Sequence, residues 1–213
     1  MNKEFEKRLL SSIILVPISI FFIIKGSIFF IFFLSILFLA TSYEWVKMNK
    51  KNNLLKFFGL IYLLLSFYAA FEIRENFVFI NFLFVITICI FTDIGGYVFG
   101  KILNGPKLTR ISPKKTYAGV FGGFLLSLAA GLFFVHYLVP AGEIFEDDLI
   151  LFILILFISL ISQIGDLIIS YFKRKAKIKD TGKILPGHGG LLDRIDGMIF
   201  VFPTIFIILK ILI

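Results

Sequence analysis

Cysteine is almost missing from this chain. The lone Cys89 lies in an apolar run, which excludes an intramolecular disulfide and a thiolate metal cluster. Charge is scarce as well, at 17% of the residues. Hydrophobic residues make up 59% of the 213 positions and 29 of them are Phe, well beyond the ordinary apolar share of about 45–50%. Such a composition leaves no room for a soluble module, so length here measures membrane spans. The charged start MNKEFEKRLL leads into an apolar run with no small-x-small cleavage site behind it. That run reads as a first span and not as a removed signal peptide. No internal repeat links the two halves, which argues against a transporter built on inverted repeats.

Seven apolar segments are present, at about 9–24, 27–46, 54–72, 77–100, 116–139, 149–172 and 195–212. Most approach the roughly 20 residues that cross a bilayer as a helix. The first is short, and Pro17 is expected to kink it. The expected fold is therefore all-α, a polytopic transmembrane helical bundle of about seven spans in a single membrane domain over 1–213. With the N-terminus in the cytoplasm, all of the 22 Lys and Arg except Lys25, Arg74 and Lys210 fall on the cytoplasmic side. This is the bias of the positive-inside rule. The opposite-face connection AGEIFEDD, 141–148, is acidic and carries no basic residue.

The chemistry is concentrated from Ser170 to Asp196, SYFKRKAKIKDTGKILPGHGGLLDRID. A lysine run alone would be an ordinary cytoplasmic loop. Here Gly187, Gly189 and Gly190 permit a tight turn that brings backbone N–H groups toward an anion, with Lys and Arg supplying positive charge. Asp193 and Asp196, three apart, share one face of a helix. Ser159, Gln163, Asp166 and Ser170 form a polar stripe on the sixth span, which should face the protein interior and bring Asp166 near that pair. A stripe that only bonds a neighbouring helix is the plainer alternative. Three aspartates among cations suit magnesium, a hard ion that takes carboxylate, phosphate and water oxygen.

Outside that stretch, Lys114, Lys115 and Thr116 precede the fifth span, where a helix N-terminus can hold phosphate oxygens. Asp93 is an ionisable group at membrane depth and a candidate by default. Glu44 ends the second span beside Trp45, a place where a carboxylate reaches water, so it is a weak candidate. Gly119, Gly123, Ser127 and Gly131 recur every four residues and read as helix packing.

The pattern S-x-[apolar]-K-R, four residues, K-D, a spacer, then P-x-H-G-G-[apolar]-x-D-R-[apolar]-D resembles the signature of the phosphatidate cytidylyltransferases, or CDP-diacylglycerol synthases. Ser170, Lys173, Arg174, Lys179, Asp180, Pro186, His188, Gly189, Gly190, Asp193, Arg194 and Asp196 fill its fixed places. SPKKT at 112–116 is similar to the family's second region, departing at Ala118 where Glu is common; Gly197 departs where Ser is common. The resemblance covers 91–200 well and the first 90 residues only as spans. It implies CTP and phosphatidate as substrates, CDP-diacylglycerol and pyrophosphate as products, and Mg2+ held by Asp166, Asp193 and Asp196. Lys114, Lys115, Thr116, Ser170, Lys173, Arg174, Lys179, His188, Gly189, Gly190 and Arg194 are the implied substrate contacts, with Lys173 and Arg174 as exposed cations. It further implies a multi-pass inner-membrane enzyme facing the cytoplasm, no nucleic-acid partner, and an open option of homodimerisation. A polyprenol-type kinase is the competing enzyme class, but it lacks the PGHGGLLDRID run.

Overall fold

The computed structural model describes residues 3–77, 79–109, 111–139, 147–185, 187 and 189–212. Pro186, His188 and most of the acidic connection 141–148 lie outside the described residues. The described chain is helical throughout: α1 (Lys3–Lys25), α2 (Ser27–Met48), α3 (Asn53–Glu75), α4 (Phe79–Leu103), α5 (Tyr117–Leu138), α6 (Asp148–Lys175), the single turn α7 (Leu192–Ile195) and α8 (Met198–Leu212). Each expected span falls on one long helix, and α7 is the addition. Helices α2 to α6 are long and apolar enough to cross a membrane, while the apolar stretches Ile13–Lys25 and Met198–Ile211 are shorter. Pro17 does not end α1, which runs on to Lys25; a membrane helix tolerates proline where neighbouring groups satisfy the freed backbone.

Large apolar side chains cover the outside, among them Phe121, Ile102 and Leu54. In water so much exposed apolar surface would be an aggregation hazard, whereas lipid tails accept it. Helix association in lipid then depends on close packing, and the glycines provide it. At Gly95 a β-carbon would collide with the Gly122 carbonyl, and at Gly119 it would come within 2.7 Å of the Gly96 carbonyl. Gly123 lies beside Thr92 and Gln163, and Gly131 against Ile155. The packing expected of the small residues on α5 is what they do, and it seats the start of α5 directly on α4.

The end of α2 is fixed by Trp45. Its indole Nε1 donates to the Leu55 carbonyl at 3.0 Å, its ring meets Phe172 edge-on at 5.1 Å, and a β-carbon at Gly59 would strike it. This anchors the end of α2, which carries the neighbouring Glu44, between α3 and the end of α6.

Candidate active site

The loop 104–116, the loop 176–191 and the end of α2 meet at one end of the bundle. In the first loop, Leu108 N–H donates to the Lys115 carbonyl at 2.8 Å and Tyr117 N–H to the Pro106 carbonyl at 3.1 Å. Thr116 Oγ1 accepts from Gly119 N–H at 3.0 Å and caps α5, the expected service of a threonine at that place. These bonds present Lys115 inward, its Nζ 2.5 Å from Asp166 Oδ2.

The polar stripe of α6 does face the interior. Ser159 is fully buried and accepts from Thr92 Oγ1 at 2.9 Å and Gln163 Nε2 at 3.4 Å. One turn beyond Asp166, Ser170 Oγ donates to Asp166 Oδ1 at 3.2 Å. Asp166 thus has an oxygen on Ser170 and an oxygen on Lys115. Its third neighbour is Asp196, which sits in the break between α7 and α8, 7% exposed, with its carboxyl hydrogen-bonded to that of Asp166. Asp93 on α4 lies close enough to interact with Asp166, Lys115 and Arg194.

The second loop folds back on itself through Leu185 and Gly189, which exchange backbone hydrogen bonds at 3.0 and 3.2 Å. Gly187 and Gly189 take φ of 77° and 89°, the left-handed region that glycine enters without strain. Pro186 and His188, which fall between these residues in the sequence, lie outside the described residues. At the base of the loop, Asp193 Oδ2 accepts from Thr181 N–H at 2.8 Å and Gly190 N–H at 3.1 Å. Its Oδ1 accepts from Lys173 Nζ at 2.8 Å.

Asp193 and Asp196 both approach Lys173 Nζ, at 2.8 and 3.9 Å, and the oxygens of Asp193 are taken up by Lys173 and the loop backbone; among the described residues no three acidic, His or Cys side chains gather to hold an ion. Lys173 is 8% exposed, a buried cation between Asp193 and Asp196 (3.9 Å). Arg174 is exposed as expected, yet it ties two loops together, donating to the carbonyls of Ile111 at 3.2 Å and Ile178 at 3.1 Å. The Gly190 N–H is likewise engaged inside the loop, Thr116 serves the α5 cap and Ser170 serves Asp166. Lys114, Lys179, Asp180 and Arg194 are exposed at the same end.

Glu44 was undervalued from the sequence. It is fully buried. Its Oε2 accepts from Thr181 Oγ1 at 2.9 Å and Leu192 N–H at 2.8 Å, and its Oε1 from Leu191 N–H at 3.0 Å. Those partners stand 137 to 148 positions away, so no local spacing signals them; the only hint is its place at the same end of the bundle as the signature loop.

Comparison with known proteins follows the same residues. A family model for the cytidylyltransferase family matches residues 52–212. The chain belongs to that family. It is 36% identical over 209 residues to the phosphatidate cytidylyltransferase of Rickettsia bellii (strain RML369-C), covering 94% of this chain and 89% of the relative. With the protein of that name from Rickettsia prowazekii (strain Madrid E) the identity is 36% over 211 residues, covering 94% and 90%. The phosphatidate cytidylyltransferase of Brucella suis biovar 1 (strain 1330) is 40% identical over 139 residues, 62% of this chain and 50% of that one. Family membership removes support for the kinase and transporter readings, and the cluster of Lys115, Asp166, Lys173, Asp193 and Asp196 lies wholly inside the matched region.

Proposed function

We infer that this chain is a phosphatidate cytidylyltransferase, converting CTP and phosphatidate to CDP-diacylglycerol and pyrophosphate. What carries the reading is the meeting, at one end of membrane-length helices, of half-buried Asp166 and buried Asp196 with lysines on both sides, in a chain similar to phosphatidate cytidylyltransferases over nearly its full length. An oxygen of the phosphatidate phosphate forms a bond to the CTP α-phosphorus as the α–β bridging bond breaks, and the electron pair leaves on pyrophosphate. A phosphomonoester with its second pKa near about 6 is largely dianionic at neutral pH, so the attack requires no strong general base.

Lysines and arginines at this end supply the positive field that lets two anionic substrates approach. Lys115 and Lys173 lie beside the carboxyl pair, Arg174 sets the spacing of the two loops, and Lys114, Lys179 and Arg194 line the open side. His188 of the signature is assigned to a phosphate ligand. Magnesium fits the chemistry of the donor set: Asp166 and Asp196 present hard oxygens in contact with each other, and this ion is commonly held by one or two carboxylates, with substrate phosphates and water completing its shell. When bound it offsets the charge developing on the leaving pyrophosphate. Asp193 takes a different part, holding the loop and Lys173 in place.

The charge bias supports a reading in which this end of the bundle faces the cytoplasm and the protein is one membrane domain over 1–213 in a bacterial inner membrane. Homodimerisation is compatible with this reading, and nothing in it calls for nucleic acid. Purified protein in detergent, given CTP, Mg2+ and phosphatidate, should release pyrophosphate and form CDP-diacylglycerol. Pyrophosphate release independent of phosphatidate, or no turnover by folded protein, would refute the assignment.

A further inference from the structure

Among the described residues, Glu44 is the one fully buried carboxylate that the reaction scheme leaves unused. It comes from α2, outside the signature regions, and its two oxygens reach both ends of the signature loop. One end is Thr181, bonded through its hydroxyl; the other is the Leu191 and Leu192 backbone at the start of α7. The backbone around it is shaped to admit it. A β-carbon at Gly182 would collide with Glu44 Oε1, and a β-carbon at Gly190 would collide with Thr181 Oγ1 and lie 2.7 Å from Glu44 Oε2. Asp193 closes the same loop from the other side, through Thr181 N–H and Gly190 N–H. Thr181 is therefore held twice, by its N–H from Asp193 and by its hydroxyl from Glu44.

We propose that Glu44 is a positioning residue for cytidylyl transfer: it clamps the two ends of the 181–192 loop together and so sets Asp196, one turn further on, against Asp166. The inference rests on the transferase reading for its catalytic consequence, but the clamp itself is a property of the loop. A carboxylate is required because three donors converge on it and an ionised carboxylate only accepts. Glutamine would turn an N–H2 toward one of those donors and leave buried backbone N–H unsatisfied. Thr181 contributes the one side-chain donor, and Gly182 and Gly190 contribute the space.

The test uses full-length protein in detergent and three variants: Glu44→Gln, Thr181→Val and Gly182→Ala, the last pressing the clamp open with Glu44 retained. Two readouts are taken, hydrogen exchange of the loop peptide against peptides of α3 and α8, and the split of kcat from KM. In each variant that purifies monodisperse, loop amides should exchange at least about tenfold faster while α3 and α8 keep wild-type protection. Turnover should fall at least about tenfold, with KM for CTP and phosphatidate changed less than threefold, because Glu44 contacts the loop and not the substrate. Glu44→Asp, one methylene short, should recover part of kcat. If Glu44→Gln does not fold, Thr181→Val and Gly182→Ala decide alone. Wild-type loop protection in the variants, or an equal loosening of α3 and α8, overturns the clamp. Wild-type protein that makes no CDP-diacylglycerol would instead sink the transferase reading, leaving the exchange result to decide the clamp.

Discussion

Replacing Asp193 with Asn should unfold the loop base, and its effect can be separated from that of Asp166→Asn by size. The Lys173–Asp193 pair is 2.8 Å apart with its side chains 10% and 9% exposed, whereas the Lys115–Asp166 pair is 25% and 28% exposed. Removing one partner of a buried ion pair costs about 3–5 kcal/mol, because the other charge stays buried and uncompensated. Asp196, 3.9 Å from Lys173, still offsets part of that charge, so the lower end, about 3 kcal/mol, applies to Asp193→Asn. The half-open pair is worth no more than about 1 kcal/mol. For a chain of this length 1 kcal/mol moves Tm by roughly 2–4 °C, which gives a fall of about 6–12 °C for Asp193→Asn and at most about 4 °C for Asp166→Asn. The single tryptophan, Trp45, packed on Phe172 at the end of α6, reports melting in detergent by fluorescence. A second check is Lys173→Met in the Asp193→Asn background, which removes the stranded charge and should restore at least half of the lost stability. Melting of the two single variants within about 2 °C of each other, or no recovery in the double variant, would refute the assignment of Asp193 to the loop's support.

Asp166→Asn should lower turnover about 10²-fold, the scale of losing a group aimed at developing charge, in protein that melts near wild type; near-normal turnover at limiting magnesium would remove Asp166 from the reacting centre. Arg174→Ala loses two charged-donor bonds to carbonyls of the two loops, and a loss of about 1.5 kcal/mol in loop pre-organisation corresponds to roughly tenfold in apparent CTP affinity, read from the KM for CTP; an unchanged KM would make the tie irrelevant to binding. If the seven expected runs all cross the membrane, a reporter active only in the cytoplasm should be active when fused before Met1 and inactive when fused after Ile213, because the positive residues cluster on the side of the N-terminus; activity at both ends would break the seven-span topology.

The helices were legible because a membrane span writes itself as an unbroken apolar run, and all seven runs became helices. The loop chemistry was legible as residue types, since cations, glycines and aspartates at fixed spacing narrow the ligand to phosphate. Partners were not legible. Asp193 lies in the short turn α7 and Asp196 just after it, but one oxygen of Asp193 is taken by the backbone N–H groups of Thr181 and Gly190, which a pattern of side chains does not reveal. Lys173 reads as one more basic residue at a span end, yet the return of the loop covers it. Glu44 was discounted for its position near water, and the same return of the loop is what buries it.

Four carboxyl groups within the site's reach divide by what already fills their lone pairs. Glu44 and Asp193 each accept three hydrogen bonds from the loop or its neighbours, and a carboxylate so occupied has little left for an incoming cation. Asp166 leans on the Lys115 and Ser170 side chains, partners that can swing to a phosphate without breaking the fold. Backbone N–H groups cannot do that. Asp196 keeps Oδ2 toward Lys173 at 3.9 Å while its Oδ1 accepts from Gly197 N–H at 3.0 Å. On the proposed reading Glu44 and Asp193, each holding three donors, belong to architecture, and Asp166 and Asp196, whose Oδ2 atoms face lysine side chains, to chemistry, with the boundary falling inside the signature itself, between Asp193 and Asp196.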